Sequence, residues 1–147
     1  MLADAQAFSD VATAFAKSIP SKTLVAGIEA RGFIFASAIA LQTGSGFLPI
    51  RKAGKLPGEV HSQDYGLEYG SDTLEIQKNI FQQGQEIVLI DDVLATGGTV
   101  VAAITLLQAS GAKVAKVMVL LEISVLSGRE MISSHFPMIE IISLVKR

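Results

Sequence analysis

The chain alternates between two kinds of segment, and this alternation constrains the fold more than any single residue. Leu24–Ile28 and residues 47–50, 86–90, 114–121 and 138–144 are short, mostly apolar runs that read as buried strands. Between them, apolar residues recur at helical spacing. Phe8, Val11, Ala12, Phe15 and Ile19 follow an Asp4 cap, and Pro20 ends that helix. Residues 32–42 are rich in Phe, Ile and Ala; Val100, Val101, Ile104 and Leu107 give the next helix its apolar face; residues 127–134 suggest a last one. Strands apolar on both faces and separated by helices predict an α/β fold with a central parallel sheet covered on both sides. No repeat, low-complexity stretch or linker interrupts the 147 residues, so one domain spanning 1–147 is expected.

This pattern also explains a composition that is 50% hydrophobic with a mean hydropathy of +0.47. Glu29, Arg31, Asp91, Asp92 and Glu122 break the greasiest regions before any reaches the ~18 apolar residues of a membrane span. Twelve basic residues against fourteen acidic ones argue against a general nucleic-acid binder. The absence of cysteine excludes disulfides, thiol catalysis and thiolate metal sites. No secretory leader is visible, so a cytoplasmic location is the expectation. The first helix starts almost at once, with no strand or arm before it.

In a sheet of this kind, ligands bind beyond the carboxyl ends of the strands. Charge stands at four of them: Glu29-Ala30-Arg31 after Ile28, Arg51-Lys52 after Ile50, Asp91-Asp92 after Ile90, and Glu122 after Leu121. The most informative segment runs from Val88 through Asp91, Asp92, Ala95, Thr96, Gly97 and Gly98 to Thr99. It reads as strand, acidic pair, tight turn and helix start. A helix N-terminus offers unpaired N–H groups to an anion, and glycines let a phosphate approach the backbone. No Gly-Lys-Ser/Thr follows, so this is not a Walker loop. Carboxylates beside a phosphate cradle suit sugar hydroxyls, or a divalent cation held through water. A ribose 5-phosphate satisfies both halves. Gly44-Ser45-Gly46 lacks a third glycine and reads as a plain turn; Ser127-Gly128-Arg129-Glu130 reads as a capping box. Phe33 and Phe35 are assigned to the core, and His61 and His135 are read as bystanders.

The segment Ile90-Asp91-Asp92-Val93-Leu94-Ala95-Thr96-Gly97-Gly98-Thr99 resembles the phosphoribosyl diphosphate signature of the type I phosphoribosyltransferases. Three more segments narrow the resemblance to the adenine phosphoribosyltransferase family: Ala26 to Phe33, Ile50 to Gly58, and Leu67-Glu68-Tyr69-Gly70. The resemblance implies the type I fold, with a flexible antiparallel lid hairpin inside the excursion 53–78. It implies a purine-salvage reaction in which adenine and phosphoribosyl diphosphate give AMP and pyrophosphate. Mg2+ is the implied cofactor, held through the substrate with Asp91 and Asp92 reaching it through water, and a homodimer is the implied assembly. Asp91 and Asp92 would hold the ribose; Ala95, Thr96, Gly97, Gly98 and Thr99 the 5-phosphate. Glu29, Ala30, Arg31, Arg51, Lys52 and Lys55 would face the diphosphate. Glu68 and Tyr69, brought in by the lid, would join Arg31 as catalytic residues, and Ile123 would touch the base.

Nothing before the first helix matches the family's base-binding segment, Pro-Gly-x-x-Phe-Arg-Asp. The expectation is therefore a complete phosphoribosyl half-site beside a partial base half-site, with phosphoribosyl diphosphate bound and adenine turned over poorly. Two alternatives stay open at this point: a non-catalytic sensor of phosphoribosyl diphosphate, and a transferase for hypoxanthine or guanine.

Overall fold

The computed structural model describes residues 1–66 and 70–147. In chain order it contains α1 (Ala5–Ala16), β1 (Leu24–Ile28), α2 (Arg31–Thr43), β2 (Phe47–Lys52), β3 (Val60–Gly66) and β4 (Ser71–Gln77). There follow β5 (Glu86–Leu94), α3 (Gly98–Ala109), β6 (Lys113–Glu122), a 3-10 turn (Ser124–Leu126), α4 (Gly128–His135) and β7 (Glu140–Lys146). The strands form one sheet in the order β3-β4-β2-β1-β5-β6-β7. Pairing from β2 through β1, β5 and β6 to β7 is parallel, whereas β4 runs antiparallel to both β2 and β3.

Successive residues along each central strand feed opposite faces of the sheet. Val25, Val88, Ile90 and Met118 pack under α1 and α2 with Phe15, Phe35 and Ile39. Ala26, Ile28, Leu89, Val117 and Val119 meet α3 and Ile132 of α4 on the other face. Leu74, Ile76 and Tyr65 of the β3–β4 hairpin join this second cluster, so the hairpin shares the core of the parallel sheet. Burial on both sides accounts for the hydropathy.

Local expectations mostly hold, with three physical corrections. Asp4 caps α1 by accepting the Ala7 N–H at 3.0 Å. Strand β5 does not stop at Ile90: Asp91 pairs with Val119 and Val93 with Leu121, so the acidic pair lies within a strand that β6 extends. Phe35 is buried, but Phe33 is only half-buried and packs edge-on against Phe47 at 5.6 Å. The capping box at Ser127 does not form. Ser127 has φ 53°, and its side chain makes no cap bond among the described residues. Its companion Arg129 is drawn instead to Glu122 at the end of β6.

Candidate active site

From β1 the chain leaves in one direction to β2, while β5, β6 and β7 continue in the other. The crevice at this reversal is where doubly wound sheets bind ligands. A cavity of about 560 Å³ opens there. Its wall takes Ile28, Glu29, Ala30 and Arg31 from the β1–α2 junction, Lys52 and Tyr65 from β2 and β3, and Asp91, Asp92, Val93, Ala95 and Thr99 from β5 and the loop after it. A smaller cavity of about 80 Å³ adjoins it, sharing Asp91, Ala95 and Thr99 and adding Thr96, Gly97 and Gly98.

Close packing brings these parts together. A Cβ on Gly32 would sit 2.9 Å from the Ile90 carbonyl oxygen and 3.0 Å from Asp91 Oδ1, so glycine lets the start of α2 approach the acidic pair. The two glycines of the phosphate loop have separate tasks. Gly97, at φ 89°, makes the left-handed turn into α3, and a Cβ there would strike the Gly128 carbonyl at 2.7 Å. A Cβ on Gly98 would meet nothing within 4 Å. That open space in front of a helix N-terminus suits an incoming anion.

The charges are arranged unevenly. Asp91 accepts the Asp92 N–H at 2.9 Å. Burial pushes its carboxyl up to about 7, against the pull of that N–H and with a further push from the neighbouring Asp92 charge. Arg31 Nε lies 2.5 Å from Asp92 Oδ2, and its side chain is 71% exposed. Glu29 accepts the Lys52 N–H at 2.8 Å and binds Lys55 Nζ and, at 3.4 Å, Arg51 Nη2. Burial alone would raise the Glu29 carboxyl, yet those bonds together hold it below its usual range. Glu29 thus gathers the Lys52 N–H, Lys55 and Arg51 around one carboxylate. The peptide between Glu29 and Ala30 is cis.

Lys52 Nζ donates to the Tyr65 hydroxyl at 2.8 Å and to Asp72 Oδ2. Neither Tyr65 nor Asp72 was singled out by sequence, although hairpin pairing sets them directly opposite one another. Arg51 and Lys55 are absent from the cavity wall, and each is bound to Glu29. Ile123 is also outside it; its N–H donates to the Leu94 carbonyl at 2.9 Å, closing β6 against the end of β5. Glu68 and Tyr69 lie outside the described residues. His61 borders a separate recess, and His135 bonds the Met131 carbonyl within its own helix. No helix among the described residues is long and apolar enough to cross a membrane.

Comparison with known proteins agrees with this fold. The family model for the phosphoribosyl transferase domain matches residues 1–145. An adenine phosphoribosyltransferase of Symbiobacterium thermophilum is 51% identical over 123 residues, covering 84% of this chain and 70% of its own. The crystal structure of the adenine phosphoribosyltransferase of Thermoanaerobacter pseudethanolicus superposes with a TM-score of 0.92 at 42% identity, over 99% of this chain and 84% of that one. The Saccharomyces cerevisiae enzyme, solved with adenine and an imino-altritol bisphosphate, gives 0.87 at 34% identity over 97% and 82% of the two chains. The chain belongs to the adenine phosphoribosyltransferases of the phosphoribosyltransferase family.

Proposed function

We propose that this chain transfers the phosphoribosyl group of phosphoribosyl diphosphate to adenine, giving AMP and pyrophosphate. One observation carries the reading: an acidic pair, a glycine-gated helix N-terminus and the cations Arg31 and Lys52 all face one crevice. The parts match a ligand with a diol, a phosphate at one end and a diphosphate at the other.

Asp91 and Asp92 accept from the ribose hydroxyls. The N–H groups from Ala95 to Thr99 hold the 5-phosphate, with Gly98 admitting it. As the bond from C1 to the diphosphate lengthens, positive charge grows on the sugar and negative charge on the leaving group. Arg31 and Lys52 are placed to stabilise the second, and Glu29 keeps Arg51 and Lys55 close enough to add to the field. Glu68 takes or relays the proton that adenine loses as its nitrogen bonds to C1, and Tyr69 supports the diphosphate end. Ile123, although outside the cavity wall, remains the candidate contact for the base.

Mg2+ fits this donor set, because two oxygen-only carboxylates suit a hard cation that keeps its waters and binds through them. Bound to the substrate, it would neutralise part of the diphosphate charge. An apolar face on α2, where Ile34 and Leu41 are 39% and 86% exposed at a seven-residue spacing, supports a homodimer; light scattering tests it. A cytoplasmic location completes the reading.

The deciding assay follows AMP formation and pyrophosphate release with adenine, hypoxanthine, guanine and xanthine in turn. Activity confined to adenine is expected. Turnover of another purine in preference to adenine overturns the assignment. Glu68→Ala should lower kcat more than it raises KM, and an unchanged kcat removes Glu68 from proton transfer.

A further inference from the structure

Every cation assigned to the diphosphate has a carboxylate partner in this structure, and the partners differ in kind. Arg31 is paired with Asp92, which the ribose claims; Arg51 and Lys55 are paired with Glu29, which lies in the same junction loop. Lys52 is paired with Asp72, which borders no part of the cavity and has no task in the transfer. Asp72 lies on β4 of the hairpin, beyond the parallel sheet.

The contact is a closed triangle. Lys52 Nζ donates to both Tyr65 and Asp72, and the Tyr65 hydroxyl lies 3.4 Å from the same Asp72 oxygen. The second oxygen of Asp72 accepts the Thr73 N–H at 2.8 Å, which fixes the carboxylate to its own strand. Tyr65 is buried, so its hydroxyl offers a rigid second acceptor. The bond between them raises the Lys52 ammonium and lowers the Asp72 carboxyl, as expected for a committed pair. A free lysine must give up side-chain freedom to hold an anion. Here that freedom is already lost, and the ammonium stands at the cavity wall.

We propose that Asp72 is a positioning residue for diphosphate binding: with Tyr65 it holds the Lys52 ammonium in place, and through it the β3–β4 hairpin is tied to the substrate. The inference rests on Lys52 meeting the diphosphate, as set out above. Asp72 itself touches no substrate and acts only through Lys52.

Calorimetric binding to the intact chain with Mg2+ separates the possibilities, using phosphoribosyl diphosphate and AMP as two probes. AMP carries the ribose 5-phosphate but no diphosphate. Asp72→Asn should weaken phosphoribosyl diphosphate binding about 5-fold, the size of one ordinary hydrogen bond, because Lys52 is left in place but no longer held, and leave AMP binding within about 2-fold. Asp72→Glu should restore most of the loss. Lys52→Met should weaken the same probe by about 10-fold or more, the range of one ion-paired hydrogen bond, and adding Asp72→Asn should then cost nothing further.

Equal losses for both probes would make Asp72 a structural residue and overturn the proposal. So would an Asp72→Asn effect that persists in full beside Lys52→Met, or no effect at all. If Lys52→Met leaves phosphoribosyl diphosphate binding unchanged, the assignment of Lys52 fails first and the inference falls with it. If only the Asp72 variants are silent, the assignment of Lys52 stands and the inference alone is lost.

Discussion

Toward the carboxyl end of β5, burial drives the Asp91 carboxyl up to about 7; at the last residue of the adjacent β6, Glu122 is pulled down to about 2. Both acids sit on central strands that end in the same region. Glu122, however, receives a forked pair from Arg129, Nε at 2.9 Å and Nη2 at 2.6 Å, and the Ser143 hydroxyl at 2.6 Å. Arg129 also donates to the Ile141 carbonyl at 2.9 Å, so the cluster binds β6, α4 and β7 together. Asp91 has one backbone N–H and an acidic neighbour. A charge satisfied inside the protein serves stability, and a charge left short of partners at a cavity waits for a ligand.

Disturbing the two kinds of acid should therefore fail in different ways. Asp91→Asn with Asp92→Asn would delete the two sets of charge-assisted bonds proposed for the ribose, together about 4 kcal/mol or on the order of 10³-fold in kcat/KM. Thermal stability should hold or rise, because burial disfavours the Asp91 charge that the change removes. A melting curve that drops while activity persists would reverse the roles assigned to the two strand ends. Arg129→Met strands Glu122 without its partner, at about 3 kcal/mol of stability. The midpoint should fall by roughly 10 °C for a domain of this size. Phosphoribosyl diphosphate should still bind within about 2-fold below that temperature, since Arg129 and Glu122 are absent from the cavity wall.

The same contrast explains what the chain discloses before it is folded. The acidic pair and the two glycines are legible because their task is local: a few consecutive residues turn a strand into a helix start. Arg129 misleads for the opposite reason. The spacing Ser127 to Glu130 has the form of a cap, but Ser127 turns left-handed at φ 53° and Arg129 reaches Glu122, Ile141 and Ser143, which nothing near it in the chain announces. Lys52, Tyr65 and Asp72 belong to the same class; only the pairing of β3 with β4 sets the last two opposite each other. The extension of β5 through Asp91 and Asp92 was illegible too, since it depends on β6 alongside.

Acid offers a milder probe. The folded Glu122 carboxyl lies near 2 against an ordinary value of 4.5, so its contribution is complete above about 4.5 and is lost as pH falls toward 2. Acid unfolding of the parent should steepen within that window, and Glu122→Gln should flatten the curve there while lowering stability at neutral pH. A curve unchanged by the substitution would mean that other acids govern acid unfolding.

The smallest effects come from single methyl groups at the phosphate loop, and they sharpen the comparison to adjacent residues. Gly97→Ala imposes a left-handed turn on a side chain and drives it into the Gly128 carbonyl, costing about 2 kcal/mol of stability. Gly98→Ala meets nothing in the free protein and stands at the first residue of a helix, where alanine is favoured over glycine by up to about 1 kcal/mol. Its cost should appear only with ligand, as a loss of about 10-fold in phosphoribosyl diphosphate and AMP binding, the size expected from obstructing one backbone bond to phosphate. Stability that falls for Gly98→Ala, or binding that survives it, would show that the space in front of α3 is not where the 5-phosphate enters.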